Sequence, residues 1–456
     1  MRQEPEDTTG SAISPPALAE AEKLRSLPWQ GAHHAFNATF TSLTFFGPVF
    51  LLFLSELGLP KAQMGLLLSL FPFCGLLALG FAPVATRLGR KRVFLTCYGA
   101  RKVVVLGLFL LPWVLVRFGH TGGLVYLIGI VSVFGILRAL AETGWYAWSQ
   151  EIVPDRVRGR FSAVTTVLAT LASSAALALA GYVIKHRAGL DGFLLLIGVG
   201  TAAGVIGVLV LLMVPGGRPQ PATAESDTHW AQMREALRDR NFTLYLAGLA
   251  CVTVGTLLYL SFLPLFLKER LGVAPGVVVT LETAVMIGGG ISALLWGGLA
   301  DRVGSRPVLM PAAGLTILIP LGWLLLPRTA AHLVPLCAIL YFVHGVAYNG
   351  VAIGAGRLLL NGVIPPQQST AYTALYYAWL GLVGGGAPLL AGAVLQGFGP
   401  WQAHLGVVTL DGHSILFALA ALLVVAGAVC YARVRPDDRY RTRDVLHWIT
   451  ARLSPH

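Results

Sequence analysis

The sequence predicts an all-α membrane protein, twelve transmembrane helices forming two pseudo-symmetric bundles of six. Three observations carry that prediction. The 456 residues are 55% hydrophobic and 12% charged, with a mean hydropathy of +0.71, whereas soluble domains carry about 25% charged residues. Apolar runs of roughly 20 residues, enough to cross ~30 Å of hydrocarbon, recur along the whole chain. A charged corner that ends the second run then returns, in register, at the end of the eighth.

Taken in order, residues 1–27 form a polar tail with Pro15-Pro16 and several acids. It has no basic stretch followed by an apolar core, so no cleavable signal peptide is expected. Spans are expected near 33–55, 62–86, 93–116, 123–149, 160–185 and 192–214. A polar linker, 215–240, separates these from six more near 242–267, 276–300, 306–326, 333–359, 368–396 and 413–434, and a second tail follows from 435. Pro48, Pro72, Pro112, Pro264, Pro320 and Pro388 fall inside spans, where membrane helices tolerate them. With both ends in the cytoplasm, about 22 of the 33 Lys and Arg lie on that side, which favours this orientation. The formal charge of +12 therefore needs no nucleic-acid partner. Trp230, Met233 and Leu237 in the linker, and Val445, Leu446, Ile449 and Leu453 in the tail, have the spacing of amphipathic helices. Each suits either the inner-leaflet surface or a short soluble helix.

The halves repeat. Phe46-Gly47-Pro48-Val49-Phe50 matches Phe262-Leu263-Pro264-Leu265-Phe266, and Glu56-Leu57-Gly58 matches Arg270-Leu271-Gly272. Phe161-Ser162-Ala163-Val164 matches Tyr372-Thr373-Ala374-Leu375. Parallel repeats of this kind place a binding site between the halves, near the bilayer midplane. The charged corner reads Ala82-Pro83-Val84-Ala85-Thr86-Arg87-Leu88-Gly89-Arg90-Lys91 in the first half. In the second it reads Gly297-Gly298-Leu299-Ala300-Asp301-Arg302-Val303-Gly304-Ser305-Arg306. Each is a tight turn in which glycine supplies the unusual φ and bases stay at the cytoplasmic surface. The second copy resembles the signature loop of the major facilitator superfamily, G-x-L-a-D-R-x-G-x-R, at every fixed position. The first departs at Ala82 and Thr86.

That resemblance implies a central cavity lined by the first, fourth, seventh and tenth spans, and motion by alternating access. It also implies that Asp301 latches onto the start of the fifth span, beside Arg158, Gly159 and Arg160, in the outward-open state. Thr86 carries no charge for the equivalent contact. Arg302, Gly304, Arg306, Arg87, Gly89 and Arg90 complete the expected gating set. The family's antiporters carry a Gly-Pro motif on the fifth helix, and Ala175–Gly181 has no proline.

Charges inside apolar runs cost several kcal/mol unless paired or wet, so each is a candidate for function. Arg138 and Glu142 sit one turn apart on the fourth span, with Trp145 extending their face. They form either a proton-coupling pair or a static one. Arg101 and Lys102 on the third span point to different sides of a helix, and Glu282 lies in the outer part of the eighth. On the tenth, His344 is either a proton-sensing group or a packed histidine. Tyr348, Asn349, Thr41 and Tyr259 are substrate donors by type, with polar contacts between helices as the competing reading. Gly288–Gly290 and Gly384–Gly386 suit close helix packing. The five cysteines are scattered in apolar runs with no metal-like spacing. No catalytic, metal-ligand or cofactor pattern appears.

The expectation is a non-enzymatic secondary transporter in a bacterial inner membrane, probing no partner but solute, proton and lipid, and working as a monomer. The competing expectations are an exporter of amphipathic drugs and a non-transporting sensor built on the same scaffold.

Overall fold

The computed structural model describes residues 19–77, 88–187, 189–217, 233–327, 332–365, 369–399, 401–405 and 408–435. Ten stretches among them are long and apolar enough to cross a membrane. One of these, Arg90–Trp145, makes two passes. Gly119 leaves helical geometry at φ 66°, and the chain then runs back along the third span. Tyr126 reaches the Gly107 carbonyl at 3.0 Å, and Gly144 packs beside Phe94. Helix Lys61–Gly75 is the described part of a further pass. The sum is the twelve spans expected.

The first and seventh spans are broken rather than continuous. The first is Glu20–Leu43 and Pro48–Glu56; the seventh is Arg240–Leu260 and Leu263–Glu269. Pro48 and Pro264 each open the second piece, where a missing N–H costs nothing. The matched sequence repeat therefore encodes a matched break. The first span also begins at Glu20, earlier than its apolar run. Ser26 and Gln30 are buried there, Gln30 bonds Ser26 at 2.9 Å, and Glu20 pairs with Arg156 at 2.7 Å. Tertiary contacts extend a helix that hydropathy ends.

Backbone geometry repeats at the turns as well. Gly58 and Gly272 have φ of 71° and 66°; Gly89 and Gly304 have 96° and 100°. A side chain at any of these four would be strained. The only strands among the described residues form a hairpin, Ala403–Leu405 with Val408–Leu410, between the last two spans.

The face carrying Gly89 and Gly304 is called here the basic face. At the opposite face the first six spans meet the last six. Lys61 pairs with Glu269 at 2.7 Å, and Lys268 lies 3.8 Å from Glu56 and 3.3 Å from the Ser55 hydroxyl. The fifth span crosses the eighth at Gly181 and Gly276, where a Cβ on Gly181 would lie 2.6 Å from the Gly276 carbonyl oxygen. The second crosses the eleventh at Gly65 and Gly392. Absent side chains let these backbones touch. Gly288 and Gly345 do the same between the eighth and tenth spans, as expected for the first glycine run.

Candidate functional site

Polar groups between the spans fall into three sets. The first lies among spans one, three and four. Arg138 Nε donates to Glu142 at 2.7 Å, and the pair is one-third to two-fifths exposed. The guanidinium lies 4.6 Å from the centre of the Phe46 ring, at the break in the first span. Trp145, on the same helical face, meets His33 at a tilt and His34 edge-on, with ring centres 5.6 and 5.7 Å apart. The i,i+4 pair is thus held against the first span, with its solvent-exposed side free to meet a solute.

Arg101 and Lys102 both turn inward. The Arg101 guanidinium stacks 3.8 Å over Tyr98 and donates to Asn37 at 3.3 Å; Tyr98 also donates to Asn37. Lys102 is 1% exposed, with Nζ 3.0 Å from the centre of Phe40 and no hydrogen bond. Burying an ammonium costs several kcal/mol, of which cation–π contact returns about 2. These bases are therefore internal to the first six spans.

In the last six spans, Tyr259 and His344 share a 3.2 Å hydrogen bond, and both are buried. Tyr341 is buried with its hydroxyl unbonded. Among the described residues, Glu282, nearby on the eighth span, has no hydrogen-bond or ion-pair partner. Tyr348 is 59% exposed, whereas Asn349 lies over Gly289 and joins the eighth and tenth spans. Thr41 donates to its own helix at Ala38, 2.9 Å away. On the eleventh span, Tyr372 and Trp379 bond Asp239 and the Leu246 carbonyl, which makes them packing groups against the seventh.

The third set is a cavity of about 360 Å³ lined by His34, Ser162, Thr165, Thr166, Ala169, Thr170, Ser173 and Met286. Its wall belongs to the first, fifth and eighth spans and contains none of the candidate site residues, although Ser162 falls in the repeated stretch 161–164. The missed signal was the spacing of hydroxyls at 162, 165, 166, 170 and 173, which puts them along one side of a helix.

At the basic face the two corners do the same structural work. Lys91 donates to the Leu212 and Val214 carbonyls at 3.2 and 2.5 Å, and Arg306 donates to those of Ala432 and Val434. The base two residues beyond each positive-φ glycine thus caps the last helix of its own six, where bare carbonyls attract a cation. Lys91 stood in register with Arg306 in the sequence but was not among the expected gating residues. Asp301 pairs with Arg357 at 2.7 Å, inside the same six spans. Arg302 and Arg160 are exposed, and Arg90 is half-buried. Arg87, Trp230 and the amphipathic tail stretch lie outside the described residues, as does the Arg158 side chain.

Comparison with known proteins matches the Major Facilitator Superfamily model over residues 35–329 and 271–451. The chain belongs to this superfamily. Two curated relatives are similar. Multidrug resistance protein D of Escherichia coli K12 is 28% identical over 214 residues, 45% of this chain and 49% of that protein. The ectoine/proline transporter ProP of Corynebacterium glutamicum is 26% identical over 345 residues, 69% and 66% of the two chains. The matches thus span about half and just under two thirds of these relatives. Among solved structures, nucleoside transporter NupG superimposes with a TM-score of 0.66 at 13% identity, covering 92% of this chain and all of that one. An inward-facing bacterial homologue of the lysosomal transporter Spinster gives 0.61 at 14%, covering 91% and 95%. Both likenesses concern the fold.

Proposed function

We propose that this protein is a secondary transporter that moves a small organic solute bearing an anionic group, in exchange with or alongside protons, by alternating access. The observation that carries the reading is the Arg138–Glu142 pair at 2.7 Å, partly exposed beside the break in the first span. A carboxylate solute competing for the guanidinium displaces Glu142 from its partner and leaves that carboxylate as the group able to accept a proton. Binding and protonation are then linked, which is what coupling requires. His344 and Glu282 are the second candidates, in the other six spans.

The excess of bases at the basic face supports placing that face, and both termini, in the cytoplasm of a bacterial plasma membrane. The inter-half contacts then close the outer side, and the conformation is inward-open. In that reading Asp301 rests on Arg357, and engages the start of the fifth span only when the halves rock the other way. The protein works as a monomer, since one chain supplies both halves of the site.

Glu142→Gln tests the coupling. In proteoliposomes the variant loses accumulation driven by a pH gradient and keeps counterflow exchange; unchanged gradient-driven accumulation removes Glu142 from the mechanism. Export of amphipathic drugs is the second reading, supported by the likeness to multidrug resistance protein D and by the exposed rings of Tyr348 and Tyr377.

A further inference from the structure

The fifth span (Arg158–His186) presents hydroxyls to the cavity in two different states. Thr165 and Thr166 donate to carbonyls of their own helix at 3.0 and 2.8 Å, the usual arrangement for a membrane hydroxyl. The side-chain hydroxyls of Ser162, Thr170 and Ser173 make no hydrogen bond with any described residue. Ser173 is only 8% exposed as a residue, and it lines the cavity wall, so its hydroxyl is reached from the cavity.

Depth connects this wall to Arg138. Ser173 lies fifteen residues into a helix that starts at the basic face, and Arg138 lies fourteen residues before the end of one that finishes there. At 1.5 Å per residue both are roughly 20 Å from that face. Ser162 stands near the mouth. Laterally, His34 belongs to the cavity wall, and its ring is 5.7 Å from Trp145, on the helical face of Arg138 and Glu142. A volume of about 360 Å³ holds roughly a dozen water-sized groups.

We infer that the substrate is a hydroxylated carboxylate that fits within this cavity, its anionic end at Arg138 and its hydroxyls at Thr170 and Ser173, one helical turn apart at about the same depth as Arg138. This rests on the anionic-solute reading above and deepens it. The Thr170 and Ser173 hydroxyls serve as specificity determinants. Each both donates and accepts, matching solute hydroxyls in either direction, and each is left unpaired by a solute without them. Met286 closes the far wall without offering a competing polar partner.

The test uses the purified full chain at one pH and three probes of equal carbon-chain length. Gluconate carries both features, hexanoate only the carboxylate, and glucitol only the hydroxyls. Affinities are read from thermal shift against ligand concentration. Gluconate should bind at least tenfold more tightly than either other probe. Thr170→Val with Ser173→Ala should remove that advantage by weakening gluconate and tightening hexanoate, and Thr170→Ser should retain it; a double variant that keeps the tenfold advantage overturns the hydroxyl assignment. Hexanoate binding as tightly as gluconate overturns the hydroxyl assignment and leaves the anion reading standing. Glucitol matching gluconate overturns the anion reading and leaves the hydroxyl wall standing. Binding of none of the three, in protein that melts cooperatively, overturns this inference.

Discussion

At the opposite face, Lys61–Glu269, Lys268–Glu56 and two glycine crossings join the first six spans to the last six. The ion pairs described at the basic face, Glu20–Arg156 and Asp301–Arg357, stay within one set of six. The capping bases Lys91 and Arg306 do so too. The two faces therefore answer different needs. The basic face makes each bundle rigid; the opposite face decides whether the bundles stay together. A transition that opens the opposite face must part backbones packed against each other as well as break ion pairs. Exposed pairs contribute only about 0–1 kcal/mol each, so the glycine crossings are the larger component.

This contrast ranks the following expectations. Gly181→Leu should have the largest effect, because its side chain would collide with the Gly276 carbonyl and Thr280. Solute uptake should fall about a hundredfold, with increased labelling of cysteines placed at the opposite face. Retention of wild-type uptake would show that this crossing does not form during the cycle.

Charge reversal is milder. Glu269→Lys should slow uptake about two- to fivefold, the range expected for an exposed ion pair. Adding Lys61→Glu should restore it, the coupling being read from the double-mutant cycle. Equal loss in the single and double variants would mean that the pair is incidental.

At the basic face, Asp301→Asn should shift the resting population toward the conformation open at that face, since the proposed latch loses its charge. The change is read as protection of opposite-face cysteines from an impermeant reagent. The smallest functional effect belongs to Lys91→Met. Losing a cap on the sixth span should cost about 1 kcal/mol and lower Tm by ~2 °C. Solute affinity should stay the same, and a change in affinity would give this corner more than a structural role.

The same division explains how much the sequence revealed. Features set locally were legible. They include the spans from hydropathy, the positive-φ glycines of the two corners, and Arg138–Glu142 from i,i+4 spacing. The matched prolines at 48 and 264 were visible too, but not that they break their spans, since proline in a membrane helix is compatible with either outcome. Features that depend on distant partners were not legible. Nothing near Lys61 indicates Glu269, some 200 positions later, and nothing near Lys91 indicates that Val214 is its acceptor. Arg101 and Lys102 resembled cavity bases because sequence gives their depth but not their direction. The hydroxyls of the fifth span were present in the sequence, yet serine and threonine bond their own helices so often that spacing alone did not mark a wall. The cavity that Ser162, Thr170 and Ser173 line does so.

The most direct test of the rocking motion is a pair of distances in one protein. With the five native cysteines replaced, spin labels at Leu88 and Arg302 report the basic face, and labels at His186 and Phe398 report the opposite face. Pulsed electron resonance would follow both distances as a bound solute is added and the pH is changed. The account predicts opposite changes, the basic-face distance shortening as the opposite-face distance lengthens. Two distances that rise and fall together, or a single one that moves alone, would contradict it.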